Sequence, residues 1–118
     1  MAYSKKDNFQ KKQARLAELA KALGHPARIA ILKTLAERNA CVCGEIVKGL
    51  PLAQSTVSQH LKALKEAGLI KGEIEGPTSC YCIDGKTARE LEALLEELLH
   101  ALRNVNGDPT CRPARKRE

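Results

Sequence analysis

The stretch that decides the fold runs from residue 54 to residue 68 and reads QSTVSQHLKALKEAG. Val57, Leu61 and Leu64 follow one another at i, i+4 and i+7, the spacing of one face of an α-helix. Ala67-Gly68 is typical of a helix end. The opposite face carries polar side chains of moderate length that can form hydrogen bonds. Its members are Gln54, Ser55, Ser58, Gln59, Lys62 and Lys65.

A shorter helix is predicted immediately before this one. Glu45, Ile46, Val47 and Leu50 form a brief helical pattern, and Pro51 stops it. Two short helices joined by a tight turn, the second with a polar face, form a helix-turn-helix. The sequence therefore predicts a DNA-binding unit.

A β-hairpin, the wing, is predicted after this unit. Residues 69–75 and 79–83 are strand-like runs on either side of the turn sequence Gly76-Pro77-Thr78. A last helix then starts at Asp84 or Thr87, with Thr87 and Glu90 spaced as a capping box. Its apolar residues form a seam at about 3.5-residue spacing. They are Leu91, Leu94, Leu95, Leu98 and Leu102.

Two further helices are predicted at the beginning of the chain. The first covers about residues 8–23 and ends at Gly24; the second has His25 as its cap and Pro26 at its first position, and it ends at Asn39. The predicted fold is therefore mostly α with a small β-wing: a winged helix-turn-helix of five helices, with a short strand before the third helix. Because the leucine seam has no internal partner in so small a domain, we expect a homodimer through the first and last helices.

The length and charge of the chain set its organisation. At 118 residues and 12.9 kDa, it has room for one compact domain, which we place at residues 16–103. The net charge of +6 sits largely in a basic N-terminal arm, residues 1–15, that runs into the first helix, and in a basic flexible tail, residues 104–118. No apolar run is long enough to span a membrane, and no export signal is seen, so a cytoplasmic protein is expected.

The five cysteines are expected to be reduced thiols, since the number is odd and the compartment is reducing. Cys41 and Cys43 are two apart, so on an extended segment both point to one face; Cys80 and Cys82 repeat this spacing on the second wing strand. The segment before the third helix of a winged helix commonly pairs with that strand, which would bring four thiols together. Thiolates select soft ions: trivalent arsenic or antimony would take three of them, and zinc or cadmium all four.

Three runs of the sequence resemble the ArsR/SmtB family of winged-helix repressors. They are Leu23-Gly24-His25-Pro26-Ala27-Arg28, Cys41-Val42-Cys43-Gly44-Glu45-Ile46 and Gln54-Ser55-Thr56-Val57-Ser58-Gln59-His60-Leu61-Lys62. The resemblance covers about residues 14–102 and implies a homodimer that represses its operon and releases DNA on a metal, metalloid or redox signal. One departure is that Ile46 stands where the arsenic-sensing pattern has its third Cys. The Cys-Val-Cys run nevertheless favours arsenite or antimonite as inducer, bound by Cys41, Cys43, Cys80 and Cys82.

The predicted DNA contacts divide by chemistry on a palindromic double-stranded operator. Gln, Ser and Thr side chains reach base edges, whereas lysines bind phosphates. The base contacts are predicted at Gln54, Ser55, Thr56, Ser58 and Gln59. The phosphate contacts are predicted at Lys62, Lys65 and Lys71, and His60 is included as their neighbour.

The sequence is also compatible with other functions of this fold. A second family site on the last helix would bind zinc at Asp84, Lys86, Glu97 and His100, but the cation of Lys86 disfavours it. Zinc or cadmium at the four cysteines is one alternative, and a thiol-redox or persulfide sensor using Cys43 and Cys111 is another. An enzyme is not expected, because the three histidines are scattered and no nucleophile with a base accompanies them. No organic cofactor is expected either.

Overall fold

A computed structural model of the chain describes residues 11–39, 41–43, 51–74 and 79–105. The predicted third helix, the wing turn at 76–78, the first ten residues and the tail from 106 onward lie outside these ranges. The elements within them, in chain order, are α1 (Lys11–Ala22), α2 (Pro26–Arg38), β1 (Val42–Cys43), α3 (Gln54–Ala67), β2 (Ile70–Glu73), β3 (Cys80–Ile83) and α4 (Gly85–Arg103).

The ends of α2 are fixed by local chemistry, as the sequence predicts. His25 is the N-cap: its Nδ1 accepts a hydrogen bond from the backbone N–H of Ala27 at 3.0 Å. Pro26 follows at the first helical position, where no N–H is needed. Asn39 ends the helix in the left-handed conformation, with φ of 52°. The prediction for this helix is confirmed at both ends.

The beginning of α4 corrects one prediction. Asp84 is the N-cap, and its side chain accepts from the N–H of Lys86 at 3.0 Å. The expected capping box of Thr87 and Glu90 is wrong, because Thr87 is buried and lies inside the helix. Glu90 points instead toward α1, where it meets Arg15.

The ion pair between α1 and α4 holds the two helices together. Arg15 donates from Nε and Nη2 to the two carboxylate oxygens of Glu90, at 3.1 and 3.0 Å, and from Nη1 to Glu18 at 3.0 Å. The hydrogen bond from Arg15 lowers the pKa of Glu90. This two-pronged geometry fixes the relative orientation of the helices as well as their contact.

The three strands form one antiparallel sheet in the order β1-β3-β2. Strand β3 is therefore central, with the segment before α3 on one side and the first wing strand on the other. Val42 pairs with Tyr81, and both are buried on the inner face. Gly72, opposite Tyr81 on β2, has φ of +116°, a conformation that favours glycine.

The core lies where α1, α2 and α3 meet the inner face of the sheet. Helix α1 contacts α3 and α4, α2 contacts α3 and β3, and α3 contacts β2. The largest fully buried side chains are Leu19, Ile31, Leu35, Val57, Leu64 and Ile70. No helix in the described part of the chain is long and apolar enough to cross a membrane.

Candidate nucleic-acid interface and cysteine pairs

Helix α3 separates its apolar and polar residues cleanly. Val57, Leu61 and Leu64 are buried against the core, as their spacing predicts. The predicted DNA-contacting residues on the other face are exposed, except that Thr56 is half-buried. The side chain of Gln54, in the first turn, lies outside the described parts. The exposed members are Ser55, Ser58, Gln59, Lys62 and Lys65, together with Lys71 on β2.

The first turn of α3 lacks a side-chain cap. The N-cap residue is Ala53, which makes no capping hydrogen bond, whereas serine or aspartate in this position would accept one from the helix. The other end is well closed: Gly68 adopts φ of 90° and donates its N–H to the carbonyls of Leu64 and Lys65. The helix with the exposed polar face thus begins at a weak end.

His60 does not belong with the DNA-contacting residues. Its side chain is only 7% exposed, and Nδ1 accepts a hydrogen bond from Nε of Arg28 at 3.1 Å. The sequence indicates that His60 is buried, because it is three residues after Val57 and four before Leu64, on the apolar face of the helix. It is a predicted DNA contact because it adjoins the other predicted contacts, and its burial argues against that role.

Half-buried Arg28 and exposed His25 form with buried His60 a polar cluster that sequence reasoning missed as a structural unit. Arg28 also donates from Nη1 to the carbonyls of Lys21 and Ala22, at 3.2 and 3.3 Å, and so ties the end of α1 to α3. The rings of His25 and His60 lie 4.4 Å apart between centroids. Burial, followed by the charges of His25 and Arg28, lowers the pKa of His60. Within the described residues, Nε2 of His60 has no hydrogen-bond partner.

The four cysteines of β1 and β3 are aligned in register. Val42 pairs with Tyr81 and Cys43 with Cys80, so Cys41, one residue before β1, stands opposite Cys82. The Sγ atoms of Cys41 and Cys82 are in bonding contact, as a disulfide, and their Cα atoms are 4.2 Å apart. This distance is close to the value of about 4.5 Å for an antiparallel pair without backbone hydrogen bonds. Since such pairs recur every second residue, Cys43 and Cys80 are the next pair of the same kind.

The state of the cysteines differs from the prediction of reduced thiols, because Cys41 and Cys82 are bonded to each other and Cys80 also takes part in a disulfide. Cys41 is exposed and Cys82 is half-buried. Among the described side chains, no three His, Cys, Asp or Glu residues form a group that could hold a metal ion. The side chain of Cys43 lies outside that description, and so does Cys111.

A recess of about 390 Å³ lies beside the bonded pair. Lys71 shares it, because Lys71 is opposite Cys82 on β2 while Cys41 is opposite Cys82 on the other side. Asn39, at the end of α2, also lines it, with Leu35 and Ile83 as an apolar wall. The recess is therefore lined by both bonded cysteines, one lysine and one asparagine.

The comparisons with known proteins agree with this geometry. The sequence profile described as "Bacterial regulatory protein, arsR family" matches residues 25–71, which include α2, β1 and α3. A relative described as an uncharacterized HTH-type transcriptional regulator of Methanocaldococcus jannaschii is 42% identical over 88 residues, which cover 74% of this chain and 98% of the relative.

The chain belongs to the arsR family. Another relative is the HTH-type transcriptional repressor SmtB of Mycobacterium tuberculosis, 48% identical over 64 residues, which cover 54% of this chain and 47% of SmtB. Among solved structures, HlyU of Vibrio cholerae matches with a TM-score of 0.59 at 32% identity, over 79% of this chain and 96% of HlyU. The predicted family and the winged-helix fold class are thereby confirmed.

Membership of the arsR family also fixes the class of function. The matched proteins are transcriptional regulators, and helix-turn-helix regulators of this family bind DNA. This chain is a DNA-binding transcriptional regulator and not an enzyme. The exposed polar face of α3 is the surface in the described part of the chain that suits this role.

The residues of the second family site on the last helix, which Lys86 disfavours, make other contacts in the structure. Asp84 is occupied as the cap of α4, and its carboxylate faces the N–H of Lys86. Nε2 of His100 lies 3.0 Å from Nδ2 of Asn104, one turn later in the chain. Glu97 is on the exposed surface, 3.9 Å from the ammonium of Lys12. In this arsR-family chain these residues stabilise helix ends and the packing of α1 against α4.

Proposed function

We propose that this arsR-family regulator is a homodimeric repressor that binds a palindromic operator and releases it when arsenite or antimonite binds its cysteine thiolates. One observation carries the proposal: Cys41 is bonded to Cys82, and Cys43 is opposite Cys80 in the backbone register of the two adjoining strands. Sulfur donors alone, in a cluster of this kind, select soft thiophilic ions. The reduced protein is the form that would bind, since the thiolate is the ligand.

The donor set fits a trivalent centre if the bond between Cys41 and Cys82 is reduced. These two residues would supply two sulfur ligands, and the next cross-strand pair, two residues along, would supply the third. Support for the third ligand is the backbone register alone. A tetrahedral ion such as zinc or cadmium would need all four thiolates.

The sheet supplies a route from the thiols to α3. Strand β1 belongs to the segment that precedes α3, and β3 pairs with β2, which packs against α3. An ion that ties β1 to β3 would therefore restrain the position of α3 relative to the rest of a dimer. A coupling free energy of about 3 kcal/mol would weaken operator binding more than a hundredfold.

The dimer interface in this proposal is the exposed face of α4 with α1. Large apolar side chains on this face, with Val105 just beyond its end, are 37% to 59% exposed in the described chain: Leu95, Leu98, Leu99, Leu102 and Val105. A groove between α1 and α4, lined by Leu16, Leu94 and Leu98, continues the surface. Two copies of α3 would then enter major grooves about 34 Å apart.

Sedimentation equilibrium tests the dimer. The variant Leu98→Glu/Leu102→Glu places charges in the apolar surface, and we expect it to sediment as a monomer and to lose operator binding. Lys33→Glu, an exposed change on α2, serves as a matched control and should remain dimeric. A dimeric Leu98→Glu/Leu102→Glu protein would contradict this interface.

Thiol counting under anaerobic, reducing conditions tests the inducer. In the wild type, arsenite or antimonite should protect three thiols, and Cys80→Ser/Cys82→Ser should lose that protection. In parallel, fluorescence anisotropy with a duplex selected from a random pool should show the wild type losing affinity by more than a hundredfold. Protection of four thiols by zinc or cadmium, with the same release of DNA, would instead indicate a metal-responsive repressor. Unchanged DNA affinity with the thiols occupied would refute regulation by this site.

A further inference from the structure

We infer that Cys41 and Cys82 form a thiol–disulfide exchange site for small disulfides that carry carboxylates, with Lys71 as the residue that selects their charge. This inference concerns two of the cysteines in the proposed inducer site, but it requires no ion to bind. It starts from the row Cys41, Cys82 and Lys71, which crosses the sheet from β1 through β3 to β2.

The position of Lys71 gives the row its chemistry. Lys71 is the cross-strand neighbour of Cys82, and directly opposite residues on one sheet face have Cβ atoms about 5 Å apart. The thiolate is the attacking form in exchange, so the attack of Cys82 takes place beside the side chain of Lys71. The ammonium also attracts an anionic reagent.

The neighbouring row has the opposite charge. Glu73 is the cross-strand neighbour of Cys80, in the position that Lys71 has beside Cys82. A carboxylate in this position repels an anionic disulfide. Cys80 also takes part in a disulfide, but of the two cysteine rows, within the described residues, only the one that contains Cys41 and Cys82 has a cation beside it to attract an anionic reagent.

The recess beside the pair has room for a reagent. Its volume of about 390 Å³ lies within the range of small-molecule sites, about 300–1,000 Å³. Asn39 can hydrogen-bond a carboxylate or amide of the reagent, and Leu35 and Ile83 can contact its apolar atoms. Cys41 and Cys82 both line it, so the first and the second step of exchange take place in one site.

The reaction balances as a transfer of two electrons. The Cys82 thiolate attacks one sulfur of the reagent, forming a mixed disulfide while the first reagent thiolate leaves. The Cys41 thiolate then attacks Sγ of Cys82, forming the intramolecular disulfide and releasing the second reagent thiolate. The protein dithiol is oxidised, the reagent disulfide is reduced, and the two thiol protons pass to the two released thiolates. The product is the Cys41–Cys82 bond seen in the structure.

A charge series of reagents tests the site on the full chain, with Cys43, Cys80 and Cys111 changed to Ser so that one pair reacts. The reduced protein is mixed with dianionic dithiobis(nitrobenzoate) and, separately, with neutral dithiodipyridine, and the rates of thiol loss are compared as a ratio. Within one variant this ratio cancels changes in thiol exposure and pKa. We expect Lys71→Met to lower the ratio about threefold and Lys71→Glu to lower it further, since one unit charge at about 7 Å in water has an effect of this size.

Glu73→Gln in the same background is the matched control and should leave the ratio unchanged, since Glu73 belongs to the other row. If the Ser background fails to fold, the same Lys71 variants are compared in the wild type, with the bonded cysteines identified by peptide mass spectrometry. Equal ratios in wild type, Lys71→Met and Lys71→Glu would overturn the selection by charge. A mixed disulfide that persists, with no Cys41–Cys82 bond, would overturn the exchange site itself.

Discussion

Lowering the pH provides a test of the buried His60 beneath the polar face of α3. The side chain accepts a hydrogen bond from Arg28, and burial, followed by the charges of His25 and Arg28, holds its pKa below the ordinary value of 6.5. The folded protein therefore keeps a neutral ring under conditions where the unfolded chain takes up a proton. The stability that His60 contributes is fully present above the unfolded pKa and is lost as the pH falls below it.

The size of this loss of stability follows from the proton that His60 binds in the unfolded chain but not in the folded protein. If the folded ring stays neutral throughout, the free energy of unfolding falls by about 1.4 kcal/mol between about pH 7.5 and about pH 5.5. Proton uptake by the folded ring would reduce this, so the figure is an upper limit for one histidine. Protonation of Nδ1 in the folded ring would also remove the hydrogen bond from Arg28, because a protonated nitrogen can no longer accept one.

Urea unfolding followed by circular dichroism, at fixed protein concentration across this pH range, measures the effect. His60→Gln keeps a neutral acceptor for Arg28 and removes the titration, so the wild type should lose up to about 1.4 kcal/mol more than this variant on acidification. His100→Gln, a change at an exposed histidine, should follow the wild type. If wild type and His60→Gln show the same pH profile, the neutral buried His60 is refuted.

Three substitutions test the backbone and the helix caps by thermal and urea unfolding. Gly72→Ala should lower the free energy of unfolding by on the order of 2 kcal/mol, because φ is +116° and a Cβ there would overlap the carbonyl oxygen of Cys80. Gly85→Ala, where a Cβ has space, is the control and should cause no loss of stability. Equal losses in the two variants would contradict this prediction. Ala53→Ser should stabilise the protein by about 1 kcal/mol by supplying the missing cap of α3, and no gain would mean that the first turn is already satisfied. Asp84→Ala should cost about 1 kcal/mol through loss of the cap of α4, and an unchanged stability would show that another group caps this helix.

The helix ends that could be predicted from the sequence are those fixed by adjacent residues. His25-Pro26 is a cap followed by a residue that needs no N–H partner, and Ala67-Gly68 supplies a left-handed end. These choices depend on local chemistry, and the structure confirms them. The start of α4 depends on tertiary packing instead, since Asp84 and Thr87 are both good cap residues. A Cβ on Gly68 would lie 3.2 Å from Oγ1 of Thr87, so Thr87 is placed by its contact with the end of α3.

The part of the candidate site that could be predicted is the part that depends on the spacing of cysteines along the sequence. Alternation along an extended segment shows that Cys41 and Cys43 share a face, as do Cys80 and Cys82, but the exact partners depend on strand register. Lys71 illustrates what the sequence could not provide. Its charge favoured a phosphate contact, whereas its place opposite Cys82 follows from the pairing of β2 with β3. The role of His60 likewise depended on which side of α3 faces the core.

The proposed phosphate contact and the proposed thiol chemistry both involve Lys71, so together they predict that DNA binding and the state of Cys82 are coupled. It is exposed, it is a predicted phosphate contact, and it adjoins the row in which Cys82 reacts. An ammonium that pairs with a thiolate is less available to a phosphate, and conversion of that thiolate to a disulfide removes the competing charge. An ion bound by the thiolates would act on the same residue, in addition to restraining β1 against β3. Because equilibrium coupling is reciprocal, operator DNA that engages Lys71 would alter the free energy of forming the Cys41–Cys82 disulfide by the same amount by which that disulfide alters DNA binding.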